Sequence, residues 1–327
     1  YAGDATSPFS LRTSSSDNSP KHITSEAATT ISHIQVGVGN TSLTANFRKG
    51  YAAFYIMKYE ISQGQYTDFL NTIGQLQASN RFPNQNGVGR HTISYDGMTV
   101  TFSTTRPDRA MNFMDWHDLI AYLDWAALRP LTELEYEKAC RGPLPPVPNE
   151  FAWGTISYTA GTTLSGAENG TETFTTPNAN MRRISDALAG GDGGDGPVRV
   201  GIFATASTTT REASGAAYYG VFNMSDNVGE YYYRYTAGQA PSLPSNGILW
   251  GDGSLDASGN ANTTNWVLAC NLTDVIIRGT TNSNASQPYA TISGRQGVTN
   301  LVWGGMPGTV NDCNIGRNRY AGGRGGR

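Results

Sequence analysis

Hydrophobic and polar residues alternate along the first part of the chain in a pattern typical of β-strands. The segment 33–38 alternates with a period of two and places Ile34, Val36 and Val38 on one face, which predicts a half-buried strand. The segment 52–60 is a longer, mostly apolar run and predicts a second strand that is more deeply buried. A strand followed by a helix is therefore expected near the start of the folded region.

Two later segments have apolar residues at helical spacing together with start and stop signals. Ser62 followed by Gln65 is a capping-box pattern, which predicts a helix that continues through Ile73. The segment 115–128 has its apolar residues on one helical face. Pro130 is expected to end that helix, because proline disfavours helical conformation at the residue before it.

A third helix is predicted to contain one of the three cysteines. Thr132 followed by Glu135 is a second capping-box pattern, and the helix that it begins carries Cys140 on its apolar face. Cys140 is therefore interpreted as a small buried core residue. Cys270 and Cys313 would pair only in an oxidising compartment and with suitable geometry, which the sequence does not decide.

Residues 1–38 and 39–327 are predicted to be an N-terminal arm and a single domain. The first 30 residues are rich in Ser, Thr, Asp and Asn, and this composition is typical of disorder. Ordering them costs about 1–2 kcal/mol per residue, so another copy of the chain is expected to hold the arm, in a homo-oligomer or filament. A truncation near residue 39 is then expected to fold but to stay monomeric. The expected apolar anchors are Ile34, Val36 and Val38, with Ile31 as a fourth.

The overall composition is typical of a secreted or cell-surface protein with long, hydrogen-bonded loops. The chain has 39 Gly and 17 Tyr among 327 residues, and many Asn, Ser and Thr. A formal net charge of -3 argues against a nucleic-acid partner. The chain contains no apolar run of about 18 residues, so no membrane span is predicted. The chain opens at Tyr1 rather than Met, so removal of a signal peptide and an extracellular location are expected.

Four segments resemble, in order along the chain, blocks of the formylglycine-generating enzyme (sulfatase-modifying factor) family. They are residues 58–69, 129–142, 220–231 and 275–281. The third reads Gly-Val-Phe-Asn-Met-Ser-Asp-Asn-Val-Gly-Glu-Tyr, and the second contains Leu-Thr-Glu-Leu-Glu-Tyr-Glu. The resemblance implies an α+β fold of the C-type-lectin-like type, rich in loops and with little regular secondary structure. Because one fold hosts many functions, the activity must be argued from the site.

The resemblance also implies where redox metals would bind. Enzymes of this family that oxidise a sulfatase cysteine hold copper through two cysteines shortly after an Arg-Gly-Gly-Ser block, since soft thiolates select Cu(I). The corresponding stretch here, 278–295, contains no cysteine, so we expect copper chemistry to be absent. Related iron enzymes need three histidines, whereas no pair of histidines in this chain has metal-ligand spacing. The four histidines are His22, His33, His91 and His117.

Calcium is the cofactor that the resemblance implies, because carboxylate and carbonyl oxygens are its preferred ligands. The first family site would comprise Asn227, Val228, Gly229 and Glu230, with Gly229 where the family has Trp. The second would comprise Asn180 and Met181, with Asp192 or Asp195 as the acid. The alternative for both sets is that these residues only form hydrogen bonds that hold loops.

Three functions remain open at this stage. The first is a non-catalytic, secreted structural protein that self-associates on a surface or in an extracellular filament. The second is an oxidoreductase of the formylglycine-generating type, and the third is a lectin-like receptor that binds glycans through Tyr- and Asn-rich loops. An RNA-binding role for the Arg- and Gly-rich segment 317–327 is not favoured, because the chain has no net basic charge.

Overall fold

The structure is a computed structural model with short helices and strands joined by long loops. It describes residues 9–11, 21–34, 37–234, 250–262, 275–279, 290–293, 296–297 and 317–327. The helices are α1 (Gln63–Thr72), α2 (Gln75–Arg81), α3 (Trp116–Trp125), α4 (Glu133–Arg141) and α5 (Arg211–Ser214). The strands are β1 (Phe9–Leu11), β2 (Lys21–Ile23), β3 (Thr29–Ile34), β4 (Gly37–Leu43), β5 (Ile93–Asp96), β6 (Thr101–Thr104), β7 (Leu164–Ser165), β8 (Thr173–Phe174), β9 (Gly229–Tyr233), β10 (Val275–Arg278), β11 (Gln296–Gly297) and β12 (Ala321–Gly322). The predicted α+β, loop-rich class is confirmed.

A four-stranded sheet in the order β11-β10-β9-β12 lies at the centre of the fold. Strand β9 runs antiparallel to β10 and parallel to β12. Tyr231, Tyr233 and Ile277 face a core cluster that α1 and α3 also line, whereas Tyr232 and Ile276 face α4. Because successive strand residues point to opposite faces, this alternation buries both faces of the sheet. The sheet therefore fixes the position of the block 220–231.

The helix starts agree with the sequence-based prediction. Ser62 Oγ accepts from the Gln65 amide at 3.2 Å, and Gln65 Oε1 accepts from the Ser62 amide at 3.0 Å. Thr132 and Glu135 form the same reciprocal pair at the start of α4, and Asp115 caps α3. These bonds satisfy amides that have no partner inside a helix.

Helix α3 ends three residues earlier than predicted, at Trp125. Ala127 adopts a left-handed conformation with φ of 53°, and the Leu128 amide donates back to the carbonyl of Leu123 at 2.8 Å. This C-terminal cap, and not Pro130, ends the helix.

Both predicted strands near the start of the domain are wrong in detail. Residues 33–34 end β3 and residues 37–38 begin β4, and the two strands are antiparallel, with Thr29 paired with Leu43. A period of two does not reveal that the chain changes direction between them. The segment 52–60 forms no regular strand, and its amides instead bond the C-terminal residues, as in Tyr55 N to Arg327 O at 2.8 Å.

The described part of the predicted arm packs on its own domain. Ile23 and Ile31 are buried in the main core cluster. The Glu26 carboxylate accepts from the amides of Lys49 at 2.7 Å and Ala52 at 2.9 Å. Residues 21–31 are thus folded, although their composition is typical of disorder. Of the predicted anchors, Val36 and the side chains of Ile34 and Val38 lie outside what the structure describes.

The C-terminal segment, defined as residues 317–327, adds an edge strand to the central sheet and packs against side chains of α3. Its β12 extends the sheet beside β9, and residues 321–326 are buried. A Cβ at Gly322 would collide with the carbonyl of Met111, so a larger residue does not fit there. Among the described helices, none has the length and apolar character needed to cross a bilayer.

Candidate functional site

The block 220–231 forms a tight loop that leads into β9. Asn223 and Asn227 both adopt left-handed conformations, with φ of 58° and 64°. Asparagine tolerates this region better than other non-glycine residues. The loop therefore turns sharply twice and delivers Glu230 to the start of the central strand.

Glu230 is buried and forms an ion pair with Arg324 of the C-terminal segment. Arg324 Nε lies 2.7 Å from Oε1 and 2.8 Å from Oε2 of Glu230. The hydroxyl of Tyr232 donates to the same carboxylate. Burial disfavours the charged guanidinium, but the neighbouring carboxylate outweighs this effect and holds the pKa of Arg324 above its ordinary value.

Asn227 holds a second buried carboxylate, Glu60. Asn227 Nδ2 donates to Glu60 Oε2 at 2.7 Å, and the Val228 amide donates to Glu60 Oε1 at 3.1 Å. Burial raises the pKa of Glu60 well above its ordinary range, and the nearby Glu230 carboxylate adds to this effect. The Gly229 amide donates to the Tyr320 carbonyl at 2.8 Å. The predicted first calcium set is therefore together in space, but its groups hold neighbouring parts of the chain.

Asp226 is a third buried carboxylate beside this loop. It accepts from the Arg182 amide at 3.1 Å and from Asn223 Nδ2 at 3.2 Å. Burial raises the pKa of Asp226 to about 7. Glu60 and Asp226 lie within or beside the recognised blocks, but nothing in the sequence singled them out. Sequence analysis also did not identify their neighbour Arg324, which lies in the Gly- and Arg-rich segment 317–327.

The second predicted calcium set is not brought together into one cage. Asn180 Oδ1 accepts from the Thr159 amide at 2.8 Å, and its Nδ2 donates to the Glu212 carbonyl at 2.9 Å. The Met181 carbonyl accepts from the Gly161 amide at 2.9 Å. These bonds hold loops, which is the alternative that the sequence left open.

The two candidate acids of that set are paired with arginines. Asp192 accepts hydrogen bonds from Arg106 at 2.7 Å and from Arg109 at 2.8 Å. The pKa of Asp192 is lowered, mainly by the hydrogen bond from Arg106. Asp195 forms an ion pair with Arg319 at 2.5 Å. A carboxylate already engaged by guanidinium groups is a poor ligand for Ca²⁺ until those groups move away.

Neither set of residues, as arranged, fits a calcium ion. A Ca²⁺ cage needs six to eight oxygen ligands at about 2.3–2.6 Å. Here N–H donors contact the side-chain oxygens of both sets, and among the described residues no cluster of three acidic, histidine or cysteine side chains is placed to hold a metal. Calcium binding at these positions was an expectation from the family resemblance, and these contacts give it no support.

The described cysteine and histidines are not arranged as a redox-metal site. Cys140 is fully buried in α4, and burial raises the pKa of its thiol to about 12. The thiolate that copper requires is therefore strongly disfavoured. His91 is buried against Asn112, with its pKa lowered by burial to about 4. Cys270, Cys313 and most of the stretch 278–295 lie outside the described residues.

Comparison with known proteins places this fold in a family. The family model for the sulfatase-modifying factor enzyme 1-like domain matches residues 19–240, which is 222 of 327 residues. The match begins within the segment predicted to be an arm. The formylglycine-generating enzyme of Bos taurus is 28% identical over 131 residues, which covers 31% of this chain and 33% of that enzyme. The similar region therefore spans about a third of that relative. The chain belongs to the sulfatase-modifying factor, or formylglycine-generating enzyme, family and has its C-type-lectin-like fold.

Proposed function

We propose that this chain is a non-catalytic member of its family, a secreted or cell-surface structural protein that associates with copies of itself. The proposal that the chain is non-catalytic rests on the placement of the cysteines. The stretch 278–295 contains none, and Cys140 is buried in α4 with its pKa raised to about 12. The family's copper chemistry needs thiolates at an accessible site, so the chain does not fit that cofactor.

The buried ionisable side chains around α4 support the same proposal. Arg278 forms ion pairs with Glu133 at 3.0 Å and Glu137 at 3.4 Å, and Arg141 pairs with Glu137 and Glu150. All five side chains are buried. Groups locked in such pairs hold the fold and are not free to exchange protons with a substrate, which a general acid or base must do.

An exposed apolar surface supports self-association. The hairpin of β5 and β6 carries Tyr95, Met98 and Val100, and Met98 is 94% exposed. Exposed Leu76 lies nearby on α2, where Gln75 Nε2 reaches the Tyr95 hydroxyl at 3.4 Å. We call these four residues, Leu76, Tyr95, Met98 and Val100, the hairpin patch. Contiguous apolar patches on soluble proteins often mark interaction sites.

The backbone of the hairpin patch is strained as well as exposed. Val100 has φ of 55°, a conformation in which a β-branched residue is a genuine outlier. Such strain costs on the order of 1–3 kcal/mol and is found mainly at ligand contacts and other functional positions. A second copy that covers the tip would remove Met98 from water and offset this cost.

We expect the protein to lack formylglycine-generating activity. Incubation with a sulfatase-motif peptide, oxygen and copper should leave the peptide cysteine unchanged in mass, because the stretch 278–295, which corresponds to the copper-binding stretch of the family, contains no cysteine. The control is the same incubation without protein. Conversion above that control would refute the non-catalytic part of the proposal.

We also expect the full chain to form oligomers or filaments in solution. Light scattering after size-exclusion chromatography, with electron microscopy, measures this directly. Met98→Asp should shift the population towards monomer, whereas the control Ile156→Asp, at a residue 63% exposed on another loop, should not. A variant that begins at Pro20 tests whether residues 1–19 contribute to assembly. A wild-type protein that is monomeric at all concentrations, and binds ligands on a glycan array, would favour the lectin-like alternative.

A further inference from the structure

The guanidinium of Arg324 is enclosed by oxygen atoms. Its Nε faces both carboxylate oxygens of Glu230, its Nη2 donates to the Phe222 carbonyl at 2.8 Å, and its Nη1 donates to the Met57 carbonyl at 3.3 Å. The Asn223 carbonyl lies 3.5 Å from Nη2. The side chain is fully buried. A buried carboxylate surrounded by backbone carbonyls is the kind of environment that also suits a hard metal cation.

We propose that Arg324 is the permanent cation of this loop and takes the role that the family resemblance assigns to calcium. The inference rests on one conflict: the residues expected to bind the metal instead contact groups of the same chain. It does not depend on the assembly proposed above. Its consequence is that the loop 220–230 is stabilised by the C-terminal segment of the same chain and not by a dissociable ion.

The orientation of Asn227 supports this assignment. Its Oδ1 accepts from the Val198 amide at 3.0 Å, which fixes the side-chain amide and turns Nδ2 towards Glu60. A calcium ligand would have to present Oδ1 to the ion. Here the oxygen is used inside the chain, and the group that faces the neighbouring carboxylate is a donor.

The charge balance also leaves little room for a divalent ion. Glu60, Asp226 and Glu230 are the acids around the loop, and Glu60 and Asp226 both accept hydrogen bonds from N–H groups of the chain. Glu230 is instead paired with the guanidinium of Arg324. A Ca²⁺ ion bound to Glu230 beside the guanidinium would place like charges a few ångströms apart in a buried site, which is strongly unfavourable.

Docking of the C-terminal segment brings this cation to the loop. Gly322 pairs with Glu230 in the parallel ladder of β12 and β9, two residues before Arg324. The Gly323 carbonyl accepts from the Ile61 amide at 2.9 Å. Strand addition and neutralisation of Glu230 are thus one structural event. In a metal-dependent site, neutralisation of Glu230 would instead depend on the concentration of free metal ion.

The test measures thermal unfolding of the full chain with chelator and with millimolar Ca²⁺, together with the metal content of the purified protein. We expect the wild type to hold no stoichiometric calcium and to melt at the same temperature in both buffers. Arg324→Ala should lower the melting temperature by on the order of 10 °C, because it leaves Glu230 buried without its partner. In that variant, millimolar Ca²⁺ or guanidinium ion should restore part of the loss by filling the cage.

The control is Arg317→Ala, which removes another ion-paired arginine from the same segment. Arg317 lies 2.7 Å from Asp118, which also has Arg81 at 3.4 Å. Its loss should destabilise the protein without any response to added cations. A wild type that carries bound calcium, or that melts earlier with chelator, would overturn the proposal. So would an Arg324→Ala variant as stable as wild type, or one that neither cation stabilises. If that variant does not fold, the wild-type measurements decide.

Discussion

A chain that ends at Tyr320 is expected not to fold, although the deleted residues look like a flexible tail. The deletion removes β12 and leaves backbone amides without the carbonyls that they bond in the intact protein. These amides belong to Tyr55, Met57, Ile61, Met114 and Arg129, of which the last three are buried residues. An unsatisfied buried donor costs about 1–3 kcal/mol, and a buried carboxylate that loses its partner costs about 3–5 kcal/mol. The sum for the three buried amides and Glu230 is comparable with the 5–15 kcal/mol by which a typical domain is stable.

Circular dichroism and limited proteolysis of the truncated chain would measure this effect. Loss of a cooperative thermal transition is the expected result. Arg327→Ala in the full-length chain is the control, because it keeps the backbone bonds to Tyr55 and loses only the exposed side chain that lies over Trp250. We expect that variant to lose about 1 kcal/mol at most. A truncated chain with a native-like, cooperative transition would show that the segment is not part of the core.

The sequence predicted the parts of the fold that depend on neighbouring residues. The two predicted capping boxes, at Ser62 and Thr132, are local patterns, and each begins a helix in the structure. The buried position of Cys140 was also predicted correctly. Helix α2 and the β5–β6 hairpin were not predicted, because α2 is mainly polar and the hairpin is stabilised by pairing that a single strand does not reveal.

Helix α4 shows why the charged core was not predictable. All nine of its residues are buried, and five of them are charged. A helix with charged residues on most sides is normally solvent-exposed. In this fold the charges are matched by residues far away in sequence, as with Glu133 and Arg278, or by nearby residues such as Arg129, which pairs with Glu135. Hydrophobic periodicity does not contain this information, because it depends on tertiary pairing.

The same reasoning applies to the candidate site. The resemblance identified the loop and its residues Asn227 and Glu230 from a local motif. Their partners, Glu60 and Arg324, are 167 and 94 residues away in sequence. Family membership suggested a metal, whereas the side chains that actually surround the loop determine which cation it can hold. Only the three-dimensional contacts reveal that an arginine from the C-terminal segment is available.

Deletion of residues 1–38 is expected to destabilise the domain strongly. The sequence alone predicted that such a truncation folds and only loses assembly. In the structure, Ile23 and Ile31 are part of the main core, and burial of each contributes about 1.5–3 kcal/mol. Glu26 accepts from two backbone amides, and its carbonyl accepts from the buried Lys49 ammonium at 3.0 Å. Loss of these contacts removes much of the stability of a typical domain.

Urea unfolding followed by tryptophan fluorescence would test this expectation against a matched control. A chain that begins at Pro20 keeps Ile23, Glu26 and Ile31 and loses the three-residue strand β1, which pairs with β2. Its unfolding midpoint should therefore lie close to that of the intact protein. The chain that begins at Gly39 should unfold at a much lower urea concentration or fail to fold. Equal midpoints for both truncations would show that residues 21–31 are dispensable for the domain, and contact with another copy would then be the better explanation for them. If only the Gly39 chain loses stability, residues 21–38 belong to the domain, and the packing of Ile23, Glu26 and Ile31 accounts for the loss.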